Sequence, residues 1–149
     1  MTLEWQWCTL RDLPAERWYT VAAARQDVFI VEQTCAYADL DGLDLNAEHL
    51  IVWSGNDLAG YLRLLGPGTR FAEPSLGRIL TTQAFRRTGL GRELVLKGLQ
   101  RAHERYQGQA LRISAQAYLV KFYNSFGFVV DSEPYLEDGI PHVEMVIRS

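Results

Sequence analysis

Cysteine is nearly missing from this 149-residue chain, which carries only Cys8 and Cys35. Two thiols can neither build a disulfide framework nor close a four-ligand zinc site by themselves, and they read as reduced thiols. Long apolar runs are missing too. Stretches such as Val28 to Val31 and Leu50 to Trp53 fall far short of the ~20 residues that cross a bilayer. The opening Met1-Thr2-Leu3-Glu4-Trp5 lacks the charged and apolar regions of a signal peptide. A cytoplasmic protein with no membrane partner is expected. Positive charge is in deficit, with 15 Lys and Arg against 18 Asp and Glu and a net charge of −3. That is the wrong sign for a general nucleic-acid binder. His49 and His103 have no ligand spacing with each other or with a cysteine. The acidic loop 39–44 is too irregular for an EF-hand, which needs a glutamate at position 12. No metal is expected.

What is present is ordinary for a globular protein: 48% apolar and 22% charged residues. The size predicts one domain, residues 1–149. Aromatic-rich alternation predicts a strand over 3–10, and Trp18, Val21, Ala22, Arg25 and Phe29 at helical spacing predict a helix over 14–30, with Pro14 in its first turn. A long polar loop with at most one helical turn follows to Asn46. Strands 48–53 and 58–65 flank the turn Ser54-Gly55-Asn56-Asp57, and 76–82 is the next strand. The clearest helix is 89–106, with Leu94, Val95, Leu99, Ala102 and Tyr106 on one face and Arg92, Glu93, Lys97, Arg101 and Arg105 on the other. A strand over 110–115, a short helix over 118–126 closed by Gly127, and strands 128–131 and 142–147 complete the chain. This order predicts an α/β (α+β) fold with a mixed sheet and helices on both faces.

The strongest chemical signal is Arg86-Arg87-Thr88-Gly89-Leu90-Gly91-Arg92, between a strand and the long helix. Its two glycines allow backbone conformations other residues resist, so successive amides can point at an anion at the helix N-terminus. Three arginines add charge-assisted contacts. A dinucleotide fingerprint needs a third glycine where Leu94 stands, and a P-loop needs Gly-Lys-Ser/Thr, which is absent.

Arg86-x-x-Gly89-x-Gly91 resembles the pyrophosphate loop of the GNAT acetyltransferase superfamily. Phe122-Tyr123-Asn124-Ser125-Phe126-Gly127-Phe128 resembles that superfamily's Phe-Tyr-x-x-x-Gly-Phe signature, in the expected order and with one strand between. Val28-Phe29-Ile30-Val31-Glu32-Gln33, Cys35-x-Tyr37, Asp41-Gly42-x-Asp44, Ala115-Gln116-Ala117 and Glu137-Asp138-Gly139-Ile140-Pro141-His142 sharpen the resemblance to ElaA-type acetyltransferases, from Glu4 to Met145. The resemblance implies the GNAT fold, a mostly antiparallel sheet of six to seven strands, and acetyl-CoA as co-substrate with an amine acceptor, small molecule or protein. It implies that the backbone of Ile79, Leu80 and Thr81 serves the pantetheine and that Arg86, Arg87, Thr88, Gly89, Leu90, Gly91 and Arg92 hold the pyrophosphate. Gln116 stands where many relatives carry an asparagine that contacts the cofactor.

Acyl transfer to an amine needs a held donor, a neutral amine, oxyanion stabilisation and a proton for the leaving thiolate. In the Phe-Tyr-x-x-x-Gly-Phe context Tyr123 is the candidate general acid. Some superfamily members carry a carboxylate on the strand before the loop. Here that strand, Leu76 to Thr82, has none. The candidates for the base are Glu32, His142 and Glu144, with Glu32 and His142 expected to lie on the wall opposite the cofactor loop. Arg63 and Arg78 either meet an acidic acceptor or pair with Asp41 and Asp44. The expected reaction is direct attack in a ternary complex, by a monomer or homodimer. The rivals are a non-catalytic CoA-binding sensor and an acyltransferase with a longer acyl donor.

Overall fold

Strand β2 (Glu48–Ser54) is apolar on both faces, and this sets the layering. Successive strand residues point to opposite sides. Leu50 and Val52 enter one core with Leu62, Leu64, Leu94 and Met145, while Ile51 and Trp53 enter another with Val21, Tyr61 and Leu80. A sheet buried on both sides needs cover on both. Helix α1 (Ala15–Gln26) covers the second core, and α2 (Leu90–Arg105) the first. Gly98 lets α2 sit close, since a Cβ there would stand 3.0 Å from Leu62 and 3.1 Å from Leu76. This is a computed structural model and describes residues 2–148.

Strands β1 (Glu4–Cys8), β2, β3 (Asp57–Leu65) and β4 (Ser75–Thr81) pair antiparallel in chain order. A second antiparallel set holds β5 (Leu111–Gln116), β6 (Val129–Val130), β7 (Tyr135–Glu137) and β8 (Ile140–Ile147), with β8 pairing all three others. The sets meet where the Arg112 amide donates to the Pro74 carbonyl at 3.0 Å. Among the described residues no ladder continues from there, so β4 and β5 run on side by side with a gap between them.

Two segments differ from the sequence reading. The α-helix ends at Gln26, and Asp27–Glu32 forms a π-helical turn. Val28, Ile30 and Val31 are β-branched and crowd a regular helix, and such wider turns gather at functional sites. The last strand begins at Ile140 and pairs with β7, a strand the sequence reading leaves out. Asp138 and Gly139, at φ +51° and +77°, join them in a two-residue hairpin, and the Asp-Gly pair was its legible signal.

The polar loop after α1 is pinned from beneath. Arg25, fully buried, donates to Asp39 Oδ2 at 3.0 Å and Asp44 Oδ1 at 2.6 Å. Arg63 bonds both oxygens of Asp41 at 2.9 Å, and Asp44 at 3.0 Å. Arg78 lies 2.8 Å from Asp39 and 3.3 Å from Asp41. Of the two readings for Arg63 and Arg78, the geometry gives pairing with the loop. His49 donates from Nε2 to the Asp44 carbonyl at 2.9 Å and accepts at Nδ1 from the Tyr61 hydroxyl at 2.5 Å. Burial alone would raise the Asp41 carboxyl, but the Arg63 hydrogen bonds and charge, the Leu43 amide and Arg78 hold it down at about 2. Burial lowers His49 as well. Both groups take up protons more readily when unfolded. Stability is therefore expected to fall in acid in two stages, first below the ~6.5 of a free histidine and then between the ~3.9 of a free aspartate and about 2. Urea midpoints across this range check it. A flat profile from pH 7 to 3 would show that the cluster contributes no pH-linked stability.

Candidate active site

The gap between β4 and β5 begins at an irregularity. Arg63 pairs with Gly77 and Tyr61 with Leu80, so Arg78 and Ile79 together oppose Leu62. This is a β-bulge, with Arg78 at φ +52°. Beyond it β4 pairs with β3 on one side only. Facing it, Ile113, Ser114 and Gln116 of β5 line the same cavity of about 350 Å³. Phe29 and Gln33, from the π-turn and its end, close one wall. The hairpin residues Glu137, Asp138 and His142 close another.

The chain leaving β4 makes a helix entry built for an anion. Arg86 Nε folds back onto the Thr81 carbonyl at 3.2 Å. Arg87 and Gly89 then take φ +62° and +87°. Such turns gather amides into a concave nest. Among the described residues no side chain caps α2 at Gly89, and its first ladder bond runs from the Glu93 amide to the Gly89 carbonyl. The amides of Leu90, Gly91 and Arg92 are thus the orphan donors of the first turn. A Cβ at Gly89 or Gly91 would meet nothing within 4 Å, so the space over the loop is open to a ligand. Arg87 is exposed with no partner among the described residues. Arg92 donates to Ser125 Oγ at 2.9 Å and lies 4.5 Å over the Phe126 ring, which ties the loop to α3 (Val120–Asn124).

Helix α3 carries Tyr123 into the cavity wall, with its ring edge-on to Phe122 and Phe128. Burial chiefly, then Tyr118, pushes its hydroxyl up to about 12, and it has no hydrogen-bond partner among the described residues. It is a neutral donor at any working pH. His142, 7% exposed, stacks on Tyr135 and places Nδ1 2.6 Å from the Ile140 carbonyl and Nε2 3.5 Å from Glu137 Oε2. Gln116 lies opposite His142 in the β5–β8 register and reaches Gln33 at 3.5 Å.

Ile79, Gln116, Tyr123 and His142 therefore share one cavity. Leu80 is buried in the second core, and Thr81 holds Arg86 through its carbonyl. Glu32 lies outside the cavity wall. Its two oxygens take Arg86 Nη2 at 3.0 and 2.9 Å, so it belongs to the rim of the loop. Glu144 pairs with Arg112, also away from the wall. Sequence reasoning gave no role to Ser114 on β5 or to Glu137 on the hairpin. Glu137 accepts from Ser114 at 3.2 Å and is paired with Arg70, and Ser114 meets the Tyr135 hydroxyl at 2.5 Å. Cys35, outside the loop and Phe-Tyr motifs, also reaches the wall, where its thiol donates to the Asp138 carbonyl at 3.0 Å. Among the described residues no group of His, Cys, Asp and Glu is arranged to hold a metal, and no helix is long and apolar enough to cross a membrane.

Residues 19–149 match the family model described as an acetyltransferase (GNAT) domain. A UPF0039 protein of Synechocystis is 42% identical over 149 residues, covering 99% of this chain and 97% of that one. The crystal structure of an acyl-CoA N-acyltransferase from Pseudomonas aeruginosa superposes with a TM-score of 0.92 at 38% identity, covering 98% of this chain and 99% of the other. That of Escherichia coli ElaA gives 0.91 at 34% identity, covering 99% and 100%.

Proposed function

We propose, from the premise that the chain belongs to the GNAT acetyltransferase family, that it is an acetyl-CoA-dependent N-acetyltransferase acting as one unit over residues 1–149. The observation that carries this reading is the cavity at the β4 bulge, walled by Tyr123 and His142 together and approached by a helix start with open space above Gly89 and Gly91. The nest at Arg87 to Gly89, the first amides of α2 and the free Arg87 hold the pyrophosphate. The one-sided edge of β4 at Ile79 to Thr81, with Gln116 across the gap, holds the pantetheine.

His142 takes a proton from the acceptor, and the freed nitrogen lone pair attacks the thioester carbonyl carbon. The carbon–nitrogen bond forms, the carbon–sulfur bond breaks, and Tyr123 donates its hydroxyl hydrogen toward the departing sulfur. In this reading backbone amides at the bulge stabilise the developing oxyanion. The attack is direct. The Cys35 thiol is tied to the Asp138 carbonyl and, among the described residues, has no hydrogen bond to a side-chain base that would activate it as a nucleophile. The acceptor is a small-molecule or protein amine, and the site of action is the cytoplasm.

Two measurements test the reading. Acetyl-CoA should raise the Tm by mass action, and an amine panel should release CoA. Gly89→Val puts a β-branched residue at φ +87°, where an L side chain costs ~1–2 kcal/mol or more. A Cβ there meets nothing within 4 Å, so the fold tolerates the variant while the nest distorts. The Kd for acetyl-CoA is expected to rise about tenfold or more. A folded variant with wild-type affinity would remove the loop from the site. Binding without turnover of any amine would leave a non-catalytic sensor.

A further inference from the structure

The proton on the His142 ring is placed by its backbone partner. The Ile140 carbonyl can only accept, so Nδ1, 2.6 Å away, must carry the hydrogen. In the neutral ring Nε2 is then a bare lone pair. It lies 3.5 Å from Glu137 Oε2. A carboxylate oxygen also only accepts. Two acceptors thus face each other across a gap that neither can fill. Glu137's other oxygen is already used by Ser114 and Arg70, while Oε2 takes no hydrogen bond from the described residues. Both side chains line the cavity. The two-residue turn at Asp138-Gly139 and the pairing of Glu137 with Ile140 hold them on adjacent strands.

The acyl-transfer reading, on which this inference rests, leaves the amine's docking point unassigned. We propose that Glu137 Oε2 and His142 Nε2 together form the acceptor's ammonium site, selecting primary aliphatic amines that arrive as cations. Glu137 accepts one N–H of the ammonium group. His142 Nε2 accepts a second and takes that proton, leaving a neutral amine and an imidazolium whose Nε2 lies 3.5 Å from the Glu137 carboxylate. The charge moves from substrate to ring without leaving the carboxylate's reach. Arylamines and alcohols, neutral at pH 7, make no use of the carboxylate. Arg70, Ser114, Tyr135, Asp138 and Gln116 also surround the pair, and Arg78 and Asp41 line the same cavity. Of these Arg70, Asp138, Arg78 and Asp41 carry charge.

Glu137→Gln keeps the shape and deletes the charge, and Glu137→Ala deletes both. With acetyl-CoA saturating, each is expected to raise the KM of an alkylamine about tenfold and to leave that of an arylamine within about twofold. A purely structural role would move both alike, and that result, or an unchanged alkylamine KM, overturns the proposal. A second readout needs no turnover. Ring ¹⁵N signals of His142 in the free protein should show hydrogen on Nδ1 in the neutral form, and the Nε2 signal should move when a primary alkylamine is added to wild type but not to Glu137→Ala. Hydrogen on Nε2, or the same response to the amine in both proteins, overturns it. If no acceptor releases CoA while the ring signals behave as stated, acyl transfer fails and the paired site stands.

Discussion

Tyr123→Phe is expected to lower kcat about 10²-fold and to leave the Kd for acetyl-CoA within about twofold. General acids contribute ~10²–10⁴, and the local environment places this one at the low end. The hydroxyl is pushed up to about 12 by burial and by Tyr118, against ~8.5 for a simple thiol. Complete transfer to a thiolate is therefore uphill. The phenol serves best as a strong hydrogen-bond donor while charge builds on sulfur, and the proton follows from solvent as CoA leaves. The same position has a consequence for pH. A folded-state value near 12 means the phenol keeps its proton throughout the working range, so Tyr123 adds no falling limb to kcat below about pH 10. The ring packs edge-on against Phe122 and Phe128, and phenylalanine preserves both contacts, so the Tm should hold. Single-turnover rates under saturating acetyl-CoA isolate the chemical step. An unchanged rate there would return Tyr123 to a packing role.

Legibility in the sequence followed the range of the forces involved. The α2 stripe is a local pattern, and it was readable because one periodicity decides which face is buried. Gly89 was readable because a left-handed backbone has few substitutes. The arginine–aspartate cluster was half readable. Charge complementarity named Asp41 and Asp44 as partners, but only tertiary packing shows Arg25 sealed beneath them with Asp39 shared by Arg78. The Glu137–His142 pair was hidden, although both residues lie in a stretch the sequence singled out. Seeing them as neighbours requires the hairpin at Asp138-Gly139, and the run Tyr135 to Glu137 is too short to announce a strand. Glu32 was picked for its place at a helix end beside a polar loop. Its pairing depends on where Arg86 folds back, 54 positions away in the chain.

Arg25→Met is expected to destabilise the protein by about 3–5 kcal/mol, the usual result of removing one partner from a buried ion pair. The side chain is fully buried on α1, and its guanidinium holds Asp39 through Nε at 3.0 Å and through the backbone carbonyl at 2.9 Å. It holds Asp44 at 2.6 Å and lies 5.8 Å from the Trp18 ring and 5.7 Å from Tyr61. Methionine fills much of the volume, so lost packing is a small part of the cost. The larger part is the carboxylate charge of Asp39 and Asp44, both nearly buried, left with only Arg78 and Arg63 to balance three aspartates. Arg25→Lys should recover little, because one ammonium cannot span two carboxylates and a carbonyl in the fork's geometry. Adding Asp39→Asn to Arg25→Met removes one of the stranded charges, so the double variant should be more stable than the sum of the single changes by at least ~1 kcal/mol. At ~2–4 °C per kcal/mol for a chain of this size, the single variant's Tm should fall by roughly 10 °C. A loss under ~1 kcal/mol, or strict additivity in the cycle, would mean that the loop is held by its backbone bonds and apolar contacts, and that the charges beneath it are incidental. The functional consequence follows from Arg78, which shares Asp39 and sits at the β4 bulge. Freed of its partner's partner, the bulge should loosen, and at temperatures where the variant is still folded the loss should appear in the KM for the acceptor before it appears in the affinity for acetyl-CoA.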